Sequence, residues 1–147
     1  MSAQKMKNQN ENEGMLVPPH DIEAEKSVLG ALLIDKDAIV KVVEFLKPKH
    51  FYKPAHGKIF EAILTLYEKR EPADLITVPN QLKKMKELEN VGGVSYLTEL
   101  VNSVPTAANI EAYANLIKND SIKRSLISAA SEIGELVFED DEVDNLL

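Results

Sequence analysis

The sequence predicts an all-α fold: a compact bundle of about five short helices, then one long helix that begins a helical hairpin. Three observations carry that reading. Apolar residues recur at i, i+3, i+4 and i+7 spacing in segment after segment. No stretch alternates convincingly with a period of two, and the one strand-like run, Leu75-Ile76-Thr77-Val78, is too short to build a sheet. From Asn109 to Phe138 there is no proline and a single glycine, Gly134. Such a stretch allows a helix of about thirty residues, roughly 45 Å long.

The first fourteen residues are polar, and residues 1–17, with no hydrophobic periodicity and little to bury, read as a flexible arm. Order is expected from Pro18-Pro19-His20, with Asp21 capping a first helix. Ile22, Val28, Leu29, Leu32 and Leu33 form its apolar face, and Glu23 and Glu25 sit in its first turn, where the helix dipole favours negative charge. Gly30 in mid-helix costs about 1 kcal/mol against alanine, so a close approach by another helix is expected there. Asp37 is a candidate cap for a second helix carrying Ile39, Val42, Val43 and Leu46, which Pro48 stops.

A third helix starts near Pro54, where a missing amide does no harm, and its stripe is His56, Ile59, Phe60, Ile63, Leu64 and Tyr67. Glu71-Pro72-Ala73-Asp74 is a turn. Thr77 is the candidate cap of a fourth helix, with Val78, Leu82 and Met85 inward. Gly92-Gly93 breaks the chain before a short helix with Tyr96, Leu97, Leu100 and Val101, and Val104-Pro105 ends it.

The long helix changes phase. Ile110, Tyr113, Ala114 and Ile117 make one stripe, while Ile122, Leu126, Ala129, Ala130, Ile133 and Val137 make a second, rotated one. The first half is expected to pack on the globule and the second half against something else. Asp140 or Asp141 would then cap a further helix starting with Val143, Leu146 and Leu147. Six residues cannot hold a helix together, so the polypeptide is expected to be a piece of a longer one. The organisation expected is an arm at 1–17, a helical globule at 18–104 and the start of a hairpin at 105–147.

Composition narrows the function. Hydrophobic residues make up 44% of 147 residues, enough for one packed core, and aromatic residues only 5%, so aliphatic side chains must fill it. Without cysteine there is neither a disulfide frame nor a thiolate metal site. No secretory signal or membrane-spanning stretch is present, and a cytoplasmic location is expected. A net charge of −7 argues against simple phosphate binding, although Glu139, Asp140, Asp141, Glu142 and Asp144 concentrate much of it in one run.

Catalytic patterns are lacking. There is no phosphate-binding glycine loop and no dinucleotide fingerprint. His20, His50 and His56 are not at metal-ligand spacing, and His56, on an apolar stripe, reads as a satisfied core histidine. Glu23 and Glu25 point in different directions on a helix and make a poor acid–base pair. The acidic run lacks the glycine and spacing of a calcium loop and reads as a solvated turn. Lys83-Lys84-Met85-Lys86, the best basic patch, reads as an ordinary exposed face, but supports an alternative function as a helical nucleic-acid-binding or regulatory module.

One family resemblance is specific. The segment from Pro18 to Ala31, reading PPHDIEAEKSVLGA, resembles the opening signature of bacterial replicative DNA helicases of the DnaB type. Phe51-Tyr52 with Ala55-His56 and Ile59-Phe60, then Asp74-Leu75-Ile76-Thr77-Val78, follow in family order. Val91-Gly92-Gly93 with Tyr96-Leu97 and Leu100 comes next, and the series closes on 104–110, VPTAANI, with Tyr113-Ala114. The resemblance runs from about residue 18 to the end.

It implies an N-terminal domain in which a helical globule precedes a hairpin. Self-association is implied through the hairpins, as dimers and, in the full-length protein, as a hexameric collar. The partners implied are the C-terminal domain of primase and the helicase loader, with little direct DNA contact. The ATPase motor is absent from this sequence, so ATP and magnesium are expected only in that missing part and no enzymatic activity is expected here. The resemblance places primase or subunit contacts at the first helix, at the helix after Gly92-Gly93 and on the hairpin. The residues chosen on that basis are Glu23, Tyr96, Ile127 and Ile133.

Overall fold

The computed structural model describes residues 17–104 and 109–139. Five α-helices run in chain order: α1 (Ile22–Ile34), α2 (Pro54–Glu68), α3 (Thr77–Lys84), α4 (Gly93–Asn102) and α5 (Ile110–Glu139). Two 3₁₀ turns, Ala38–Lys41 and Pro48–His50, lie between α1 and α2, and no strand occurs among the described residues. The expected arm and the start of a second hairpin helix fall largely or wholly outside the described residues.

α1 is the central helix, packed against α2, α4 and the first half of α5. It begins where expected, because the Asp21 carboxylate accepts the Ala24 amide at 2.9 Å and satisfies an amide with no partner inside the helix. Val28, Leu29, Leu32 and Leu33 are buried, whereas Ile22 is only half-buried. Gly30 does what its cost implied. A Cβ there would fall on the Val104 side chain and the Leu100 carbonyl, so α4 crosses α1 nearly backbone to backbone.

The second helix expected after Asp37 is instead a 3₁₀ turn followed by tight turns. Asp37 makes no capping bond, and the Val42 and Val43 amides both reach Ile39 O. Ile39, Val40, Val42 and Val43 are β-branched, which penalises helix, and Pro48 leaves little room to propagate one. The apolar spacing still serves, since Ile39, Val42 and Leu46 are buried. On α2, Ile59, Phe60 and Ile63 are buried as expected. Tyr67, however, is exposed, and Ala62 and Leu66 face the core in its place.

α3 is capped differently from the expectation. Thr77 is its first residue, and the Asp74 carboxylate accepts the Ile76 and Thr77 amides, each at 2.8 Å. The Thr77 hydroxyl receives the Asp74 amide and donates to Pro72 O, which closes the turn. These amide bonds hold the Asp74 carboxyl below its ordinary value. α2 and α3 end alike, with the Glu71 amide on Leu66 O and the Glu87 amide on Leu82 O. Each closure needs a left-handed residue, supplied by Arg70 (φ 60°) and Lys86 (φ 59°) where glycine is usual.

Candidate protein-interaction site

Two features stand out: a buried polar hub inside the globule and an apolar face left open on α5. The hub is built on Glu25. From the first turn of α1 its side chain turns inward, where it is 1% exposed. A buried carboxylate is tolerated only when its oxygens are fully used. Here the Tyr52 amide donates to Oε2 at 2.8 Å, and the Lys53 amide (3.3 Å) and His56 Nδ1 (2.8 Å) meet Oε1.

Beyond His56 the chain of bonds continues to Tyr96 on α4. The Tyr96 hydroxyl meets His56 Nε2 at 2.6 Å, and Lys53 Nζ donates to the same oxygen at 3.3 Å. One consistent direction runs from the Lys53 ammonium to the Tyr96 oxygen, from its hydroxyl to Nε2, and from Nδ1–H to Glu25. The His56 and Tyr96 rings lie nearly parallel, 5.8 Å apart, and Lys53 Nζ sits 4.4 Å from the Tyr96 ring centre. Every buried side-chain polar atom among the described residues has a partner. His56 is fully enclosed, and this acid–histidine–tyrosine series fastens α1, α2 and α4 together.

The segment His50–Lys53 also reaches α5. Arg124 donates from Nη1 to Pro19 O at 2.7 Å and from Nη2 to His50 O at 2.8 Å. Its guanidinium lies 5.4 Å from the Tyr52 ring, against which His20 stacks at 4.0 Å. Burial, assisted by the positive charges of Lys49, Lys118, Lys47 and Arg124, holds the His50 imidazole below its ordinary pKa. Its Nδ1 accepts the Lys47 amide at 2.9 Å, a bond that needs an unprotonated nitrogen.

α5 divides as its two stripes foretold. Ile110, Ala114 and Ile117 are buried against the globule. Beyond Arg124 the apolar residues lie open to solvent: Leu126 is 65% exposed, Ile133 63% and Phe138 91%, and Ile127, Leu136 and Val137 are also exposed. A concentration of exposed apolar side chains on one helix marks an interaction surface.

Glu23 is exposed in the first turn of α1, and Tyr96 is half-buried, with its hydroxyl in the hub. Ile127 and Ile133 are both on the open part of α5. The structure thus separates these four residues into a globule pair and an α5 pair. Glu25 and Arg124, which join the two regions, went unrecognised in the sequence. Glu25 resembles any first-turn acid, and Arg124 bonds to carbonyls 105 and 74 residues away. The basic patch is divided, since Lys83 and Lys84 end α3 while Lys86 lies beyond it. No group of three or more His, Asp or Glu among the described residues is arranged to hold a metal ion, and no described helix is long and apolar enough to cross a membrane.

Comparison with known proteins agrees with this architecture. Residues 17–119 match the family model of the DnaB-like helicase N terminal domain. The replicative DNA helicase DnaB of Geobacillus stearothermophilus is 47% identical over 132 residues, which are 89% of this chain and 29% of that protein. The crystal structure of the N-terminal domain of DnaB helicase from Mycobacterium tuberculosis superposes with a TM-score of 0.83 at 41% identity, covering 88% of this chain and 92% of that one. The N-terminal domain of DnaB helicase from Helicobacter pylori, described together with its interactions with primase, gives a TM-score of 0.69 at 30% identity, over 94% and 99% of the two chains. The chain thus spans less than a third of the length of the curated relative.

Proposed function

Since the chain belongs to the DnaB-like helicase N terminal domain family, we propose that it is the assembly and primase-docking domain of a replicative DNA helicase. It acts in the cytoplasm by protein–protein contact and catalyses nothing itself. The observation that carries this reading is the open apolar face of α5, from Ile122 to Phe138, beside a globule in which every buried side-chain polar atom among the described residues has a partner. Self-association uses this face, and primase and the helicase loader are its partners. Glu23, Tyr96, Ile127 and Ile133 are the proposed contact residues. No cofactor belongs to these residues; ATP and magnesium belong to the motor of the full-length helicase. The proposed divisions are an arm at 1–17, a globule at 18–104 and the start of a helical hairpin at 105–147.

Calorimetric titration with the C-terminal domain of primase from the same organism tests the docking role. Saturable binding is expected, weakened by Tyr96→Ala and by Ile127→Ala in variants whose circular dichroism is unchanged. Absence of binding by this chain and by a hairpin-complete version alike would remove primase from the proposal.

A further inference from the structure

An open cleft of about 440 Å³ lies where the globule meets α5. Lys49 and His50 line it from the 3₁₀ turn Pro48–His50, and Ser121, Ile122, Ser125 and Leu126 line it from α5. The turn packs on α5 and is tied to it by the bond from Arg124 to the His50 carbonyl. Both walls are therefore held in place by the fold.

The cleft offers hydrogen-bond donors that the chain itself does not use. His50 is only 8% exposed, and its Nδ1 accepts the Lys47 amide, which leaves the ring hydrogen on Nε2. No described group pairs with Nε2, yet no fully buried side-chain polar atom among the described residues is without a partner. The Nε2–H therefore opens into the cleft that His50 lines. Ser121 and Ser125, four residues apart, share one face of α5. Thr65 and Thr98 turn their hydroxyls back onto the carbonyl one turn earlier, but neither serine does.

Positive charge surrounds these donors. Lys47, Lys49, Lys118 and Arg124 all lie close enough to act on the His50 ring. Among the described residues, none of the four has a carboxylate within 4.0 Å. Arg124 donates to the neutral carbonyls of Pro19 and His50, which leaves its charge uncompensated. Asp120 is the single acid of α5 between Glu111 and Glu132, and it does not line the cleft.

We propose that this cleft is a phosphate site, which takes the phosphate of a nucleotide or of a single-stranded nucleic acid. Charged and neutral donors from two walls suit an anion whose oxygens point in tetrahedral directions, whereas the two oxygens of a carboxylate lie in one plane. The site is independent of the docking role, since it needs neither primase nor a second copy of the chain. It is also distinct from the basic run at the end of α3.

The test titrates the full chain at low salt with inorganic pyrophosphate and with an oligothymidylate of about twelve residues, read by backbone amide NMR. Both probes are expected to move the signals of Lys49, His50, Ser121 and Ser125. Lys49→Glu is expected to weaken binding roughly tenfold, and Ser121→Ala with Ser125→Ala roughly fivefold, in variants whose circular dichroism is unchanged. Lys83→Glu with Lys84→Glu, a larger change of charge on α3, should leave the affinity within about twofold. An oligothymidylate that binds about tenfold tighter than pyrophosphate, or more, identifies the strand as the source of the phosphate. Comparable affinities identify the free nucleotide. Shifts confined to residues outside the cleft overturn the proposal, as does a loss with the α3 pair equal to that with Lys49→Glu. No shift at millimolar concentrations of either probe overturns it as well.

Discussion

Replacing Glu25 should unfold the globule far more readily than a change at an ordinary first-turn acid. The carboxylate is enclosed and has three partners: the Tyr52 amide, the Lys53 amide and His56 Nδ1. Glu25→Ala leaves all three without a protein acceptor in a buried space. Each buried orphan costs about 1–3 kcal/mol. A loss of roughly 4 kcal/mol is therefore expected, a large part of the stability of a domain this size.

Glu25→Gln separates charge from shape. The amide oxygen can serve either His56 or Tyr52, but the amide nitrogen then faces another donor. A tautomer change at His56 relieves only part of that conflict, so the expected loss is about 1–3 kcal/mol. Urea unfolding followed by circular dichroism at neutral pH measures both, provided the slope is unchanged. Glu23→Ala, on the exposed face of the same turn, is the control and should lose less than about 0.5 kcal/mol. If Glu25→Ala costs no more than Glu23→Ala, the hub does not hold the globule together.

Two further perturbations follow from particular contacts. Gly30→Ala gains about 1 kcal/mol of helix propensity but drives a methyl into the Leu100 carbonyl and the Val104 side chain. A net loss of about 1–2 kcal/mol is expected, and a rise in the urea midpoint would show that α1 and α4 are not in close contact. His50 sets a pH dependence. Its pKa is lowered on folding, so the unfolded chain binds the proton more readily. The stability it contributes is complete above about pH 6.5 and is lost as pH falls through that value toward the folded pKa. Urea midpoints compared at pH 7.5 and 5.5 should fall more in the wild type than in His50→Asn, and equal falls would rule out this residue as the cause.

What could be read in the sequence followed the range of the forces involved. Helix periodicity is local, and it located α1, α2, α4 and the full length of α5. The change of stripe within α5, from Ile117 to Ile122, marked where the globule ends and open surface begins. Gly30 announced a helix crossing because its cost on α1 had to be offset elsewhere. Caps were less legible where two candidates lay within a turn: Asp74 and Thr77 both have the chemistry, and the reciprocal bonds between them are a property of the closed turn. The segment after Asp37 misled because burial at a spacing of three or four suits a 3₁₀ turn as well as an α-helix. Tyr67 failed for the opposite reason, since Leu66 next to it had an equal claim on the core.

The long-range bonds could not be read, and they decide how the candidate site works. Nothing around Glu25 or Arg124 foretells partners 27 to 105 residues away. Both act on the short segment His50–Lys53. Glu25 takes up its amides, and Arg124 takes up the His50 carbonyl and lies against the Tyr52 ring. Since the same Glu25 carboxylate reaches Tyr96 through His56, the globule pair and the α5 pair of proposed contact residues are referred to one frame. Arg124 is also the last point at which α5 is seen to be tied to the globule, three residues before Ile127. The helix before it is positioned by buried apolar contacts. The helix after it keeps its apolar residues exposed and takes its direction from the Arg124 tether. A partner that binds Tyr96 and Ile127 together thus meets two surfaces whose relative placement depends on one guanidinium and one buried carboxylate.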